Sequence, residues 1–471
     1  MKKTLLIRSL KAIHFIASCA MFVACWYLYY HAYSTEWRSR FGVLICGFYV
    51  LVMYFLSHIY QAYSIGMNRI SELIYGISLA NFISAGIIYV LYSLAEMQFQ
   101  NPLPLLVLLL AQAVLNVLWI FLANAVYFRL YAPKKTLVIY RNRKDLSRLE
   151  NINRFPRRFR IDRYIENPDD DAEALFSELE GYEAIFVAGI PATLRNALAK
   201  YCVDRSVEGY FAPHVGDLIM MGAESVEQFD VPIMKVHRAR PHPEYLFLKR
   251  AFDILVSLIA IILLSPAMLV CAIAIKAHDH GPVLYKQVRL TRNGKQFRIL
   301  KFRTMRVDAE KDGVARLSTG EKDSRITPVG HILRRFRLDE LMQLFNILGG
   351  SMTIVGPRPE RPEIARQYEK EIPAFSMRLQ VKAGLTGYAQ VYGRYNTDPY
   401  DKLQMDLMYI NRMSILEDLK LMFATVKILF LKESTEGVRE GQTTASGELK
   451  QANVGSKQEI TGAEQEITKV S

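Results

Sequence analysis

The sequence predicts a membrane-embedded chain in which transmembrane α-helices precede α/β and α+β domains. Three observations favour this fold class: four long apolar runs in the first 130 residues, alternating strand-like and helix-like segments after residue 134, and basic motifs rich in glycine and proline in the last third. With 471 residues, the chain is too long for one hydrophobic core. Its 51% hydrophobic and 22% charged residues are typical of a membrane anchor joined to soluble domains.

The four apolar runs cover about residues 11–30, 41–63, 73–95 and 103–127. Each approaches the length that crosses roughly 30 Å of hydrocarbon, so we expect four transmembrane helices. The first run lacks a following small-residue cleavage site, which argues against a signal peptide. An even number of spans flanked by Lys and Arg predicts that both ends face the cytoplasm, although the loop around Arg38 does not fit this rule.

The net charge of +13 predicts an anionic partner, which from composition alone is nucleic acid, anionic lipid or a phosphorylated substrate. We expect no nucleic acid, because the basic cluster at 154–163 has few aromatic residues on which bases would stack. The five cysteines are scattered without metal-type spacing, so we expect reduced packing residues.

Short apolar segments alternate with helical patterns from residue 134 to about 240. The strand-like segments are 136–140, 183–189 and 207–213, and the helix-like segments are 169–182 and 191–205. This alternation predicts a small parallel α/β domain. The first strand lacks a following G-x-G-x-x-G, so we expect no dinucleotide cofactor but a regulatory or assembly role, with a homodimer left open.

A further apolar stretch at 252–275 is just long enough to span a bilayer. Ser265 and Pro266 lie in its middle, where proline removes a backbone donor and bends a helix. Lys249 and Arg250 precede it, and the chain beyond it is rich in basic residues. A helix that enters, bends and returns keeps these charges on one side, so we favour a re-entrant helix over a fifth span.

Residues 283–305 predict a β-hairpin, because Asn293-Gly294 lies between two strand-like runs. Basic residues occur on both faces of the second strand, so we expect some of them to contact phosphates or lipid headgroups. The polar tail from residue 433 lacks aromatic residues, which predicts disorder.

Residues 327–348 show the apolar spacing of one amphipathic helix, which two glycines end. Asp339 and Glu340 are adjacent on it, and Arg335 has the i,i+4 spacing that would keep the Asp339 carboxylate ionised. Such a pair can divide the roles of covalent nucleophile and metal ligand, and Mg²⁺ is the metal that one or two carboxylates hold together with phosphates. A solvated helix face is the alternative for the pair taken alone.

Two motifs after this pair favour phosphate chemistry. In "GPRPERPE", Pro357 and Pro359 bracket Arg358, and a fixed guanidinium suits bidentate binding of a phosphate or a carboxylate. In "KAGLTGYAQVYGRYNTD" (382–398), glycines would permit the backbone to approach a ligand closely, although the motif taken alone favours a glycine-rich connecting loop. Asp406 follows in an apolar helical segment, where it either forms the polar face of the helix or helps to organise the metal or the basic site.

From about residue 243 to 432, the chain resembles the large monotopic phosphoglycosyl transferases, the bacterial polyprenyl-phosphate hexose-1-phosphate transferases. The residues that carry the resemblance are the apolar helix with Ser265-Pro266, "KFRTM" (301–305), "LDEL" (338–341), "VGPRPE" (355–360) and "GLTGYAQVYGR" (384–394). The resemblance implies four transmembrane helices (1–132), a degenerate Rossmann-like domain without a cofactor motif (133–241), a catalytic domain (242–432) with a re-entrant helix at 248–276, and a disordered tail (433–471).

The resemblance also implies a reaction at the bacterial inner membrane, with the catalytic domain facing the cytoplasm. Sugar 1-phosphate would pass from a UDP-sugar, UDP-glucose or UDP-galactose, to undecaprenyl phosphate, releasing UMP in capsule, exopolysaccharide or O-antigen synthesis. Asp339 would be the nucleophile and Glu340 would assist Mg²⁺ binding. Lys249 and Arg250 would begin the membrane helix. The expected substrate-binding residues are Lys301, Arg303, Arg335, Pro357, Arg358, Pro359, Thr386, Gln390, Arg394 and Asp406.

This chain departs from the family pattern at three positions: Met342 replaces a common proline, Ser351 a common aspartate, and Thr291 an expected glycine. These differences bear on fine geometry and sugar choice, and they leave the acidic pair intact.

Three other functions remain open. A membrane-anchored UDP-sugar dehydratase or epimerase would retain NAD, and the missing glycine motif argues against it. A non-enzymatic scaffold of a polysaccharide export complex would keep its function after Asp339→Ala. A transporter is disfavoured because only four clean spans precede a large soluble portion.

Overall fold

The computed structural model describes residues 2–30, 36–168, 172–227, 230–309, 323–393 and 397–429. The chain divides into two compact units, Met1–Pro213 and His214–Ser471. Arg394 and the predicted disordered tail lie outside the described residues. The domain limits predicted at 132, 241 and 432 stay predictions.

In the first unit, four helices occupy the four apolar runs, and each is long and apolar enough to cross a membrane. They are α1 (Lys2–Cys25), α2 (Glu36–Ile59), α3 (Ile70–Ala95) and α4 (Leu103–Leu130). Polar side chains join them in the interior: the His14 ring nitrogens lie 2.9 Å from the Tyr63 hydroxyl and 3.1 Å from the Asn116 amide oxygen. Such bonds help to hold helices together where lipid offers no partner.

A parallel α/β sheet completes the first unit. Its elements are β1 (Lys134–Tyr140), α5 (Arg143–Leu149), β2 (Phe159–Glu166), α6 (Ala172–Glu178), β3 (Ala184–Ala188), α7 (Ala192–Asp204) and β4 (Glu208–Phe211). The predicted parallel sheet is present, with the strand order β2-β1-β3-β4. The sequence pattern did not predict β2, because this edge strand is largely exposed and carries Arg160 and Arg163.

The second unit mixes helices with short strands. Its elements are α8 (Val215–Met221), β5 (Glu224–Val226), β6 (Ile233–Lys235), α9 (Pro243–Asp279), β7 (Leu284–Leu290), β8 (Gln296–Phe302), α10 (Pro328–Arg335), α11 (Gln343–Leu348), β9 (Thr353–Val355), α12 (Pro362–Glu371), β10 (Gly384–Thr386), α13 (Tyr388–Val391), α14 (Pro399–Asn411) and α15 (Ile415–Leu429). Buried side chains of α9, β8, α11 and α14, among them Met268, Ile299, Ile347 and Leu403, share one core.

Near its start, α9 is fixed to the segment that follows the acidic pair. The Arg250 guanidinium donates to the carbonyls of Ile347 at 2.6 Å and Leu348 at 2.8 Å, at the end of α11. Buried Asp253 accepts a hydrogen bond from the Thr353 hydroxyl at 2.7 Å, at the start of β9. The two hydrogen bonds from Arg250 therefore cap the C-terminal end of α11, where carbonyls lack partners within the helix.

The far end of α9 is held by the same unit. Arg303, beyond β8, donates to the Asp279 carboxylate at 2.6 Å and to the Pro282 carbonyl at 2.6 Å. Lys249, on the first part of α9, pairs with Asp418 of α15 at 2.6 Å. Both ends of this 37-residue helix therefore contact one compact unit.

The predicted hairpin is confirmed, because β7 and β8 pair antiparallel across a turn in which Asn293 and Gly294 both have positive φ. The single helix predicted over 327–348 is wrong. Helix α10 ends at Arg335, Arg337 adopts a left-handed conformation with φ 53°, and a 3₁₀ turn, Leu338–Glu340, precedes α11. The glycine stop is confirmed, since α11 ends at Leu348 and Gly350 has φ 80°.

Candidate active site

The acidic pair lies on the 3₁₀ turn between α10 and α11. The left-handed Arg337 redirects the chain just before the pair, so Asp339 and Glu340 do not continue the face of α10. The expected i,i+4 pair with Arg335 is therefore not formed. Arg335 lies exposed at the end of α10, with its guanidinium 5.9 Å from the centre of the Phe336 ring.

Glu340 is clamped by cations from two other segments. One carboxylate oxygen accepts from Lys301 of β8 at 2.8 Å and from Arg358, beyond β9, at 2.8 Å. The other oxygen lies 3.9 Å from Arg337. Burial by itself would raise the pKa of Glu340, but the charges of Lys301 and Arg358 outweigh it and hold the pKa well below the usual range.

Asp339 is differently placed, although it is the next residue. Within the described part of the chain, its carboxylate accepts no hydrogen bond and joins no ion pair. Burial raises the pKa of Asp339; Lys301 opposes this rise and Glu340 adds to it. The two carboxylates therefore differ in their contacts: cations bind that of Glu340, and that of Asp339 is open, without a hydrogen bond or ion pair among the described residues.

The residues 356–360, which we call the PRP loop, meet the glycine motif backbone to backbone. The Gly384 amide donates to the Pro357 carbonyl at 2.9 Å, and the Gly356 amide donates to the Thr386 carbonyl at 2.8 Å. A side chain at Gly384 or Gly356 would collide with the other strand. These two glycines thus allow the backbones of the PRP loop and the glycine motif to approach each other closely.

Other predicted site residues have separate surroundings. The Thr386 hydroxyl lies 2.5 Å from that of Thr425 on α15, and both polar side-chain atoms of Gln390 are buried without a partner among the described residues. Arg303 binds the Asp279 carboxylate at the end of α9. Ser265 donates to the Ile262 carbonyl at 2.8 Å inside α9, beside Pro266.

Asp406 is buried on α14, where its side chain is 1% exposed and pairs with Arg378 at 2.7 Å. Burial raises the pKa of Asp406 to about 6, and Arg378 opposes that rise. Arg378 was not predicted from the sequence, and it also donates to the Arg358 carbonyl at 2.8 Å. A lone Asp in an apolar segment needs a buried cation as its partner, and this was the signal for such an arginine.

The three departures from the family pattern are accommodated locally. Thr291 has φ −129°, which requires no glycine, and its hydroxyl donates to the Ser351 carbonyl at 3.1 Å and accepts from the Ala383 amide at 3.1 Å. Met342 has φ −65°, the value that a proline would impose. The Ser351 hydroxyl donates to the Asn346 carbonyl at 3.1 Å.

The acidic pair also suits the binding of Mg²⁺ together with a phosphorylated ligand. The described residues contain no cluster of three or more His, Cys, Asp or Glu that would hold a metal by themselves. Mg²⁺ usually keeps several waters and takes one or two carboxylates with substrate phosphates. The open Asp339 and the ionised Glu340 supply such a donor set.

Comparison with known proteins assigns the second unit to a family. The bacterial sugar transferase model matches residues 244–432. The chain is 41% identical over 192 residues to a UDP-N-acetylgalactosamine-undecaprenyl-phosphate N-acetylgalactosaminephosphotransferase of Aeromonas hydrophila, covering 40% of this chain and 45% of that relative. It is 40% identical over 212 residues to the UDP-glucose:undecaprenyl-phosphate glucose-1-phosphate transferase of Escherichia coli (strain K12), covering 44% of each.

The matched part is nearly the whole of a shorter relative. The chain is 43% identical over 190 residues to the exopolysaccharide production protein PSS of Rhizobium leguminosarum bv. phaseoli, covering 38% of this chain and 94% of that relative. The chain spans about half or less of the length of the longer relatives. The resemblance inferred from the motifs is confirmed: this chain belongs to the bacterial sugar transferase family, whose curated members include undecaprenyl-phosphate sugar phosphotransferases.

Proposed function

We propose that the chain transfers a sugar 1-phosphate from a UDP-sugar to undecaprenyl phosphate, giving undecaprenyl-diphosphate-sugar and UMP. The observation that carries this proposal is the open, half-buried Asp339 beside a Glu340 that Lys301 and Arg358 hold. The names of the relatives support the reaction class and disagree on the sugar, since one acts on UDP-N-acetylgalactosamine and another on UDP-glucose. UDP-glucose and UDP-galactose remain our expected donors.

In the first step, a carboxylate oxygen of Asp339 attacks the β-phosphorus of the UDP-sugar. The bond from that phosphorus to the oxygen bridging the two phosphates breaks, and its electron pair leaves with UMP. The sugar 1-phosphate is then joined to Asp339 as an acyl-phosphate. Lys301 and Arg358 offer positive charge where negative charge develops, and Glu340 keeps these cations from neutralising Asp339.

In the second step, a phosphate oxygen of undecaprenyl phosphate attacks the same phosphorus. The bond to Asp339 breaks, which restores its carboxylate and forms the diphosphate of the lipid product. Because UMP leaves before the lipid phosphate attacks, the site never needs to hold the intact diphosphate of the UDP-sugar together with the lipid phosphate, which lessens the repulsion between the two anionic substrates. When bound, Mg²⁺ would supply further charge stabilisation, held by Asp339 and Glu340.

We also propose that α1–α4 span the inner membrane and that α9 is re-entrant, so that the catalytic unit faces the cytoplasm. The helix α9 is apolar enough to cross a membrane, yet Arg250 near its start and Asp279 at its end both bind the second unit. A spanning helix would place these two residues on opposite sides. The α/β sheet is proposed as a degenerate Rossmann-like domain, and a homodimer stays a prediction.

Single cysteines should report this topology. In a variant without native cysteines, Cys substituted at Glu244 and at His280 is expected to react with a membrane-impermeant maleimide only after the inner membrane is opened. Labelling of one of the two from the periplasm in intact spheroplasts would show a fifth span instead. Cys substituted at exposed Phe99, between α3 and α4, provides the positive control for outside labelling.

Purified full-length protein with Mg²⁺, undecaprenyl phosphate and a UDP-sugar is expected to release UMP. Donors to be compared are UDP-glucose, UDP-galactose and their N-acetylated counterparts, with the lipid product identified by mass spectrometry. Release of UDP in place of UMP would show glycosyl transfer without phosphate. Absence of UMP with every donor would contradict the proposed reaction.

A further inference from the structure

Two arginines donate hydrogen bonds to backbone carbonyls of the PRP loop, and neither of them contacts the acidic pair in the structure. Arg378, in the 3₁₀ segment Pro373–Gln380, donates to the Arg358 carbonyl at 2.8 Å. Arg289 of β7 donates to the Pro359 carbonyl at 3.0 Å. Successive carbonyls of the loop are thus bound from two different segments.

Each arginine is itself fixed in place. Arg378 donates through Nε to Asp406 at 2.8 Å, and its side chain is 3% exposed. Arg289 donates to the Gln287 amide oxygen at 2.7 Å on its own strand. Glu360, the last residue of the loop, lies 3.7 Å from Arg378 and 3.8 Å from Arg289.

The Arg358 side chain shows what the hydrogen bonds from Arg378 and Arg289 achieve. The Arg358 side chain is 40% exposed, and its guanidinium still reaches Glu340 at 2.8 Å. A long, partly exposed side chain loses rotamer freedom when it keeps one contact, so its backbone must be placed accurately for that contact to form. The flanking prolines limit φ, and the two arginines fix where the loop lies.

Stability alone does not explain the buried pair of Arg378 and Asp406. Removing two charges from water costs several kcal/mol per ion, and apolar substitutes of similar volume are often as stable or more so. What apolar side chains could not supply is the hydrogen bond to the Arg358 carbonyl. The buried pair therefore fixes the geometry of the hydrogen bond between Arg378 and the Arg358 carbonyl.

We propose that Arg378, anchored by Asp406, and Arg289 are positioning residues that aim Arg358 at Glu340 and at the donor phosphate. This inference rests on the proposed transferase reaction for its kinetic consequences and on the observed hydrogen bonds for its geometry. Neither arginine is assigned a contact with the substrate. Each acts through Arg358.

A double-mutant cycle tests this dependence. Arg378→Gln and Arg289→Gln are each expected to lower kcat/KM by about 10- to 100-fold, the usual cost of losing a group that orients a site residue. In an Arg358→Ala background, the same changes should have little further effect, because the residue they position is gone. Equal losses in both backgrounds would overturn the proposal, since they would indicate general loosening of the fold.

A control variant, and the use of two different arginines, make the result of the cycle interpretable. Arg366→Gln removes an exposed arginine of α12 in the same unit and should leave kcat/KM unchanged. Arg289 has a side chain that is 19% exposed, so its variant tests the proposal even where Arg378→Gln folds poorly.

Hydrogen exchange of the peptide 352–364 supplies a readout independent of turnover. It should accelerate in Arg378→Gln and Arg289→Gln but not in Arg366→Gln. Unchanged exchange in the first two would overturn the positioning role, even if the wild-type protein proved to have a different activity. Missing UMP release with accelerated exchange would instead contradict only the proposed reaction.

Discussion

Replacing Asp339 by asparagine is expected to lower UMP release by roughly 10³-fold or more, about 4 kcal/mol in the barrier. Asparagine has nearly the same shape, but its amide cannot form the acyl-phosphate. The fold should be preserved, because the Asp339 carboxylate has no hydrogen-bonding partner among the described residues that the change would leave unpaired. The measurement is steady-state turnover, with circular dichroism and the melting temperature as checks on folding.

The covalent intermediate gives this prediction a second test. With a donor labelled on the β-phosphate and no lipid acceptor, the wild-type peptide containing residue 339 should gain the mass of one sugar phosphate, and the Asp339→Asn peptide should not. Asp308→Asn, an exposed carboxylate of the same unit, is the matched control and should label and turn over normally. An unlabelled residue 339 together with substantial turnover by Asp339→Asn would rule out covalent catalysis by this residue.

The parts of the fold that were predicted correctly depend on local patterns. Apolar runs marked α1–α4, alternation marked the parallel sheet, and Asn293-Gly294 marked the turn between β7 and β8. The break at Arg337 was not predictable in this way. A left-handed arginine is disfavoured locally, and it persists here because Lys301 and Arg358 draw Glu340 away from the line of α10.

The types of residue in the site could be predicted, but the contacts between these residues could not. The resemblance assigned the carboxylate pair, Lys301 and Arg358 to one site, and the structure brings Glu340, Lys301 and Arg358 together. The sequence did not indicate which carboxylate would take the cations, because that depends on a turn set by tertiary contacts. The partnership of Arg378 with Asp406 joins residues 28 positions apart in different segments, for which no periodicity exists.

Glu340→Gln is expected to lower kcat by roughly 100-fold, about 2.7 kcal/mol, with only a small change in KM for the UDP-sugar. The glutamine keeps the size of the side chain and removes the charge that Lys301 and Arg358 share at 2.8 Å each. These two cations would then turn toward Asp339, the nearest remaining carboxylate of the turn. A carboxylate engaged in two ion pairs is a weaker nucleophile, so the chemical step should slow more than binding.

The dependence on Mg²⁺ separates the two roles proposed for Glu340. If it is a metal ligand as well as the partner of the cations, Glu340→Gln should raise the Mg²⁺ concentration for half-maximal rate by about 10-fold or more. Glu363→Gln, an exposed glutamate of α12, should leave this concentration unchanged. A slower Glu340→Gln enzyme with the wild-type Mg²⁺ dependence would remove Glu340 from the metal site and leave it as the residue that keeps Lys301 and Arg358 away from the nucleophile.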